Sequence, residues 1–180
     1  MNNILKLYHW TINEFSNFDN KYLWNYNKDL LSYIWFHFTN DRHLADSLFS
    51  YNSKENKLWY VLDIEYECIN NYWTFNEHDL VINILEFAYK YNLWITKQFL
   101  SKSKKLPYIW NQWKNLISLL YNSWKRKNGI NLKLIWDTFR QYLLNNNYNY
   151  IIYKNQLEWA ADNRYDYILL DTNKIKIINN

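Results

Sequence analysis

Near both ends of the chain, apolar residues alternate with polar ones or form short runs, which is the pattern of β-strands. The first such segments are ILKLYHW (4–10), YIWFHFT (33–39) and KLWYVLDIE (57–65), and the third alternates from Leu58 to Ile64. Two further segments, YDYILLD (165–171) and KIKII (174–178), lie near the last residue. Only Thr172 and Asn173 separate these two, and this spacing predicts a β-hairpin.

The middle of the chain follows helical spacing instead. Asn76, with Asp79 three positions later, predicts a capped helix start, and an apolar stripe follows at Leu80, Val81, Ile84, Leu85 and Ala88. Other helices are predicted after Asn40, from Pro107 to the residues before Gly129, from about 131 to 144, and after Asn155. The helix over 131–144 would place Ile135, Phe139 and Tyr142 on its apolar face.

Strands near both ends and helices between them predict an α+β fold. We expect a single domain over residues 1–180, in which 1–75 and 160–180 form the sheet core and 76–159 form a helical insertion. We expect the segments near the two ends of the chain to be strands of one sheet.

The composition excludes several kinds of site. With one glycine and one proline, the sequence contains neither a Walker-type nor a GxGxxG phosphate-binding loop, and asparagine and aspartate must form its turns. Cys68 is the only cysteine, which excludes a disulfide, and no His and acidic residues have the spacing of a metal site. Without a signal peptide or a bilayer-spanning apolar run, we expect a cytoplasmic protein.

Positive charge is concentrated in one segment. Residues 97–127 contain eight Lys or Arg residues and no Asp or Glu, while the whole chain has a net charge of +4. One interpretation is a partner-binding face, for which the candidate residues are Lys102, Lys104, Lys105, Lys125, Arg126 and Lys127. We expect a protein partner more than a nucleic acid. The alternative is a helical region whose tryptophans face the core while its lysines face water.

Four short motifs occur in an order that resembles a known family. They are YHWT (8–11), WFHFTND (35–41) followed by a segment containing LA, YVLDI (60–64), and YDYILLD with its closing strand. Together they resemble the ADP-ribosyltransferase fold, in the His-Tyr-Glu branch of diphtheria-toxin-like and poly-ADP-ribose polymerase-like enzymes and small phage and bacterial members. The resemblance covers about residues 5–75 and 160–180, and it implies a split β-sheet core and NAD as a substrate.

The resemblance also implies roles for individual residues. His9 would hydrogen-bond a ribose hydroxyl of NAD, Trp10 would offer its backbone to the nicotinamide amide in place of the usual glycine, and Thr11 would contact the same ligand. In the second motif, His37 takes the place of a tyrosine that stacks on nicotinamide, and Phe38 and Thr39 follow it.

The acidic residue of the family's last motif is not matched. Lys174 stands where the resemblance implies a glutamate, and Asp171 is the nearest carboxylate. We therefore expect Asp171, with His9, to carry catalysis. Three plainer interpretations stay open, namely that His9 is a core histidine, that His37 is a structural ring in an aromatic strand, and that Asp171 is a turn residue bonded to local backbone.

These implications give three hypotheses. The first is a small NAD-dependent mono-ADP-ribosyltransferase that modifies a macromolecular target; its size and AT-rich coding suit a phage or mobile-element effector against a host defence protein. The second is an inactive version of the fold that blocks a protein or nucleic acid through its basic, Trp-rich helices. The third is a structural α+β protein with an accidental likeness. The sequence indicates no oligomeric state.

Overall fold

The structure is a computed structural model of the chain, and it describes residues 3–11, 16–19, 36–43, 45, 60–106, 131–154 and 165–178. Its strands are β1 (Asn3–Thr11), β2 (His37–Thr39), β3 (Tyr60–Cys68), β4 (Asn71–Asn76), β5 (Tyr150–Lys154), β6 (Tyr165–Leu169) and β7 (Ile175–Ile178). Its helices are α1 (Glu77–Lys90), α2 (Lys97–Lys104) and α3 (Leu132–Asn145). A 3-10 helix, Thr172–Lys174, precedes β7.

The strands form one mixed sheet in the order β4-β5-β6-β2-β1-β3-β7, so the fold is α+β as expected. β4 and β5 are parallel, and the other described pairs are antiparallel. The segments near the two ends of the chain lie in this same sheet, because β6 pairs with β2 and β7 pairs with β3.

The predicted hairpin between β6 and β7 is wrong. Three strands, β2, β1 and β3, lie between them in the sheet. β6 already has β5 on one edge and β2 on the other, so neither edge is left for β7. Residues 170–174 instead carry the chain across to the outer edge of β3, and Asp171 caps the 3-10 helix on that path.

Each face of the sheet has its own core. On one face, α1 and α3 pack against β5 and β6 through Ile151, Tyr153 and Ile168. On the other face, the core consists of strand residues and Phe18, namely Leu7, Phe18, Phe38, Ile64, Tyr66, Cys68, Tyr167 and Leu169. Both faces of β6 are therefore covered, which explains why four of its five residues are buried.

The predicted helix starts are confirmed for α1 and α3. The Asn76 side chain accepts a hydrogen bond from the Asp79 N–H at 2.9 Å, and the Asn131 side chain accepts one from the Leu134 N–H at 3.0 Å. The predicted α1 stripe is buried at all five positions, and so are Ile135 and Phe139 of α3. Tyr142 lies at the rim of the apolar face of α3, where it packs on Phe87 and is 40% exposed.

Several elements differ from the expected pattern. β4 and α2 were not predicted, and β5 lies inside the 76–159 range expected to be helical, where it pairs with β4 and β6. Helical residues at Arg42, His43 and Ala45 agree with a helix after Asn40. The helices predicted from Pro107 and after Asn155 lie outside the described residues. Among the helices that are described, none combines the length and the apolar character needed to cross a bilayer.

Candidate functional site

His9 lies near the C-terminal end of β1, where it faces the strand-built core. Its half-buried imidazole contacts the rings of Phe18, Phe36 and Phe38, with centroid separations of 5.1, 6.2 and 5.3 Å. The structure thus brings His9 next to Phe38 of the second motif, as the sequence predicts. The same contacts also fit the plainer interpretation of His9 as a histidine packed in an aromatic cluster.

The other predicted binding residues divide between the two faces of the sheet. Because side chains alternate along a strand, Thr11 lies on the His9 face and Trp10 on the opposite face. Thr39 is buried, and its hydroxyl accepts a hydrogen bond from the Asp41 N–H at 3.2 Å. His37 pairs with Ile168 of β6, but its side chain lies outside the described residues.

The lateral contact between β1 and β2 is small. Tyr8 and Thr39 are the one pair of Cα partners described between these strands, whereas β1 and β3 pair along their whole described length. The sheet therefore consists of two groups, β4-β5-β6-β2 and β1-β3-β7, that meet at this pair. His9 follows Tyr8 directly and so lies at the junction of the two groups.

Asp171 lies away from His9 and from the junction. Its carboxylate accepts a hydrogen bond from the Asn173 N–H at 3.2 Å, and its own N–H donates to the Tyr66 hydroxyl at 3.4 Å. Tyr66 pairs with Leu5, which precedes His9 by about 13 Å along an extended strand. The structure thus gives Asp171 the local turn role and does not bring it beside His9. Lys174, at the expected glutamate position, is exposed.

A buried hydrogen-bond network fixes the backbone around Asp171. The Asn149 carbonyl accepts from the Tyr66 hydroxyl at 2.7 Å and from the Leu170 N–H at 3.0 Å, while the Asn149 side chain accepts from the N–H groups of Ile69 and Asn70 at 2.9 and 3.2 Å. The Arg140 guanidinium donates to the Leu170 carbonyl. Burial raises the pKa of Tyr66, so its hydroxyl stays protonated and remains a donor.

Sequence reasoning missed three residues near this junction. Phe36 could have been found, since it alternates with Phe38 in WFHFT, but nothing local in the sequence marks Phe18 as a neighbour of His9. Asp166 is buried on β6 opposite Thr39, and the Tyr153 hydroxyl donates to its carboxylate at 3.3 Å. A buried carboxylate is costly unless it is hydrogen-bonded, and this contact supplies one such bond.

The structure describes part of the predicted basic face. Lys102 and Lys104 lie on α2 and Lys105 caps it, all three exposed, and the Lys104 ammonium forms an ion pair with Glu86 of α1. Lys125, Arg126 and Lys127 lie outside the described residues. Of the predicted set, the structure therefore places Lys102, Lys104 and Lys105 at the surface, and Lys104 is also ion-paired.

Other kinds of site find little support in the part of the chain that is described. An open hollow lined by Ile4, Glu65, Glu67 and Lys176 lies on the face of β1 opposite His9. Within the described ranges, no three His, Cys, Asp or Glu side chains are grouped so that they could hold a metal ion.

Comparison of the chain with protein-family models, with curated proteins and with solved structures finds no match.

Proposed function

We propose that this chain has an ADP-ribosyltransferase-like split sheet and acts as an NAD-dependent mono-ADP-ribosyltransferase. The observation that carries the proposal is the strand order β6-β2-β1. Three of the four motif-bearing segments are far apart in the sequence, yet their strands are consecutive neighbours in the sheet. The single pair that joins β1 to β2 is consistent with a sheet that divides at this point.

In this proposal, NAD binds where the two groups of strands meet. The His9 imidazole hydrogen-bonds a ribose hydroxyl, and the half-buried ring of Phe36 gives an apolar wall for the nicotinamide. The bond between the ribose C1′ and the nicotinamide nitrogen breaks, and both its electrons leave with nicotinamide. A nucleophile of the target forms the new bond to C1′ and releases its proton to solvent.

A carboxylate is needed to stabilise the positive charge that develops on the ribose. Asp171 can take this role only if residues 170–174 move toward His9, because the structure places its carboxylate in a local turn, where it accepts from the Asn173 N–H. Asparagine at position 171 could accept the same hydrogen bond without carrying charge. The substitution Asp171→Asn therefore separates catalysis from turn formation.

The hydrogen bond between the Asp171 carboxylate and the Asn173 N–H favours a second candidate function. If Asp171 is only a turn residue, and exposed Lys174 stands at the expected acid position, the fold would bind its ligand or partner without catalysing transfer. Such a protein would act by covering a surface of its partner, as the basic residues on α2 suggest.

A transfer assay distinguishes these candidates. The protein is incubated with NAD labelled in its adenylate group and a bacterial lysate, and the macromolecular fraction is analysed on a denaturing gel. We expect a labelled product, reduced roughly 100-fold by Asp171→Asn because a transition-state charge contact is lost. His9→Phe, which keeps an aromatic ring among the phenylalanines, should also reduce labelling, whereas His43→Ala at an exposed position should not.

Each of the other possible results of this assay excludes one of the candidate functions or residue roles. Labelling that is equal in the wild type, Asp171→Asn and His9→Phe would overturn the proposed roles of these residues. NAD binding without any labelled product would leave the non-catalytic candidate. Neither binding nor labelling would mean that the likeness to the family is accidental.

A further inference from the structure

Exposed aromatic and basic side chains follow one another along the turn between α1 and α2 and along α2 itself. Tyr91 and Trp94 in the turn are 46% and 55% exposed, and the exposed lysines are Lys90, Lys97, Lys102 and Lys105. We call these six residues the turn surface. Tyr91 packs on Phe87 and Tyr142, at centroid distances of 4.5 and 6.3 Å, and the Lys90 ammonium lies 5.5 Å from the Tyr91 ring centre.

The backbone of this turn is well defined. The Leu93 N–H donates to the Ala88 carbonyl at 2.7 Å and the Asn92 N–H donates to the Tyr89 carbonyl at 3.2 Å, which is the hydrogen-bond pattern of a Schellman motif at the end of α1. Asn92 has a φ of 55°, as this motif requires. Thr96 then caps the start of α2, and its side chain accepts from the Phe99 N–H at 3.1 Å.

Trp94 does not fit this regular pattern. Its φ is 61°, in the left-handed region that costs free energy for a residue with a large side chain. Despite that cost, the indole is exposed instead of contributing to either core. An unfavourable backbone that holds a large aromatic ring in solvent indicates a binding role.

The charge along the sequence on both sides of these rings has one sign. From residue 87 to residue 136 the sequence has ten Lys or Arg residues and no Asp or Glu. Glu86 is the acidic residue just before this stretch, and its carboxylate pairs with Lys104, which is not part of the turn surface. The turn surface thus combines four cations with two exposed rings and fits a polyanion.

We propose that the turn surface binds single-stranded nucleic acid. Phosphates would contact Lys90, Lys97, Lys102 and Lys105, and unpaired bases would stack on Trp94 and Tyr91. A duplex keeps its base faces covered, so it would use the cations without the rings. An acidic protein segment would also use the cations, but it has no comparable need for Trp94. The proposal involves neither His9 nor NAD, so it does not depend on the proposed transferase function.

Fluorescence anisotropy tests this proposal. The probe is a labelled oligothymidylate of about 16 nucleotides, titrated with the full chain at several salt concentrations. We expect Trp94→Gly to weaken binding roughly ten-fold through lost stacking. Because glycine accepts a positive φ, this substitution should not impair folding. We expect Lys97→Gln with Lys102→Gln to lower the slope of log affinity against log salt by about 1.4, the value for two lost phosphate contacts.

Matched controls come from strands of the sheet. Trp73→Ala removes a tryptophan that is 50% exposed on β4, and Lys6→Gln with Lys176→Gln removes two exposed charges on β1 and β7. Neither control should change affinity or salt slope. Absence of salt-sensitive binding, equal affinity in wild type and Trp94→Gly, or equal affinity for duplex DNA would overturn the proposal. Displacement of the oligonucleotide by polyglutamate at the same phosphate-equivalent concentration would instead assign the surface to an acidic protein.

Discussion

Asparagine takes positions in this chain that glycine usually occupies. Asn92 and Asn147 follow the ends of α1 and α3 with φ values of 55° and 62°, and each is part of the same closing pattern of hydrogen bonds. Asparagine tolerates the left-handed region better than most residues because its short polar side chain bonds locally. With one glycine in the chain, these two turns show how asparagine supplies helix ends, as the composition predicts.

His78 should make folding stability depend on pH near neutrality. Burial lowers its pKa from the ordinary 6.5, although the Asp79 carboxylate 3.9 Å away acts in the opposite direction. The folded state therefore binds fewer protons than the unfolded state, so the stability contribution is complete above the unfolded pKa and declines as pH falls below it.

Urea unfolding at about pH 7.5 and about pH 5.5 measures this effect. We expect His78→Gln to lose less unfolding free energy over this interval than the wild type, because glutamine does not titrate. The exposed His43 provides the control, and His43→Gln should retain the wild-type pH dependence. Identical pH dependence in wild type and His78→Gln would show that burial does not lower the pKa of His78.

At the scale of elements, the periodicity of apolar residues predicted the strands and helices that have one covered face and one exposed face. β1 and β3 have one covered face, and α1 and α3 have one apolar stripe, so alternation or helical spacing marked each of them. The sequence did not reveal β5, because its YIIYK run is short and follows an asparagine-rich turn. The false hairpin arose because the spacing of two strands in sequence does not show which other strands already occupy their edges.

Tyr66 should be the residue that holds the crossing from β6 to β7 in place. Its hydroxyl donates to the Asn149 carbonyl and accepts from the Asp171 N–H, so it links β3, the segment before β5, and the segment that follows β6. We expect Tyr66→Phe to lower the free energy of unfolding by about 1–3 kcal/mol, the usual cost of an unsatisfied buried polar group.

Chemical denaturation with a matched tyrosine measures this cost. Tyr142→Phe removes the hydroxyl of a side chain that is 40% exposed, and its unfolding free energy should stay within about 0.5 kcal/mol of wild type. A Tyr66→Phe variant as stable as Tyr142→Phe would mean that the network around Asn149 does not fix this crossing.

At the scale of the whole molecule, the sequence predicted that strands near both ends of the chain share one sheet, and the resemblance implied that His9 lies near the second motif, where it contacts Phe38. The order β6-β2-β1 was not predicted, because the sequence spacing placed β6 beside β7. The position of Asp171 could not be predicted either, because it depends on residues 170–174 crossing the sheet and on Tyr66, which no local pattern connects to it. Long-range hydrogen bonds of this kind leave no periodic signal in a sequence.

The central claim is that NAD binds beside His9, at the junction of the two strand groups. The most direct test is the thermal unfolding midpoint of wild type, His9→Phe and His43→Ala at increasing NAD concentration. A ligand that binds only the folded state stabilises it by about 2.7 kcal/mol at a concentration 100 times its Kd. We expect the midpoint of wild type and His43→Ala to rise with NAD, and that of His9→Phe to stay constant. A constant midpoint in wild type, or an equal rise in His9→Phe, would contradict the claim.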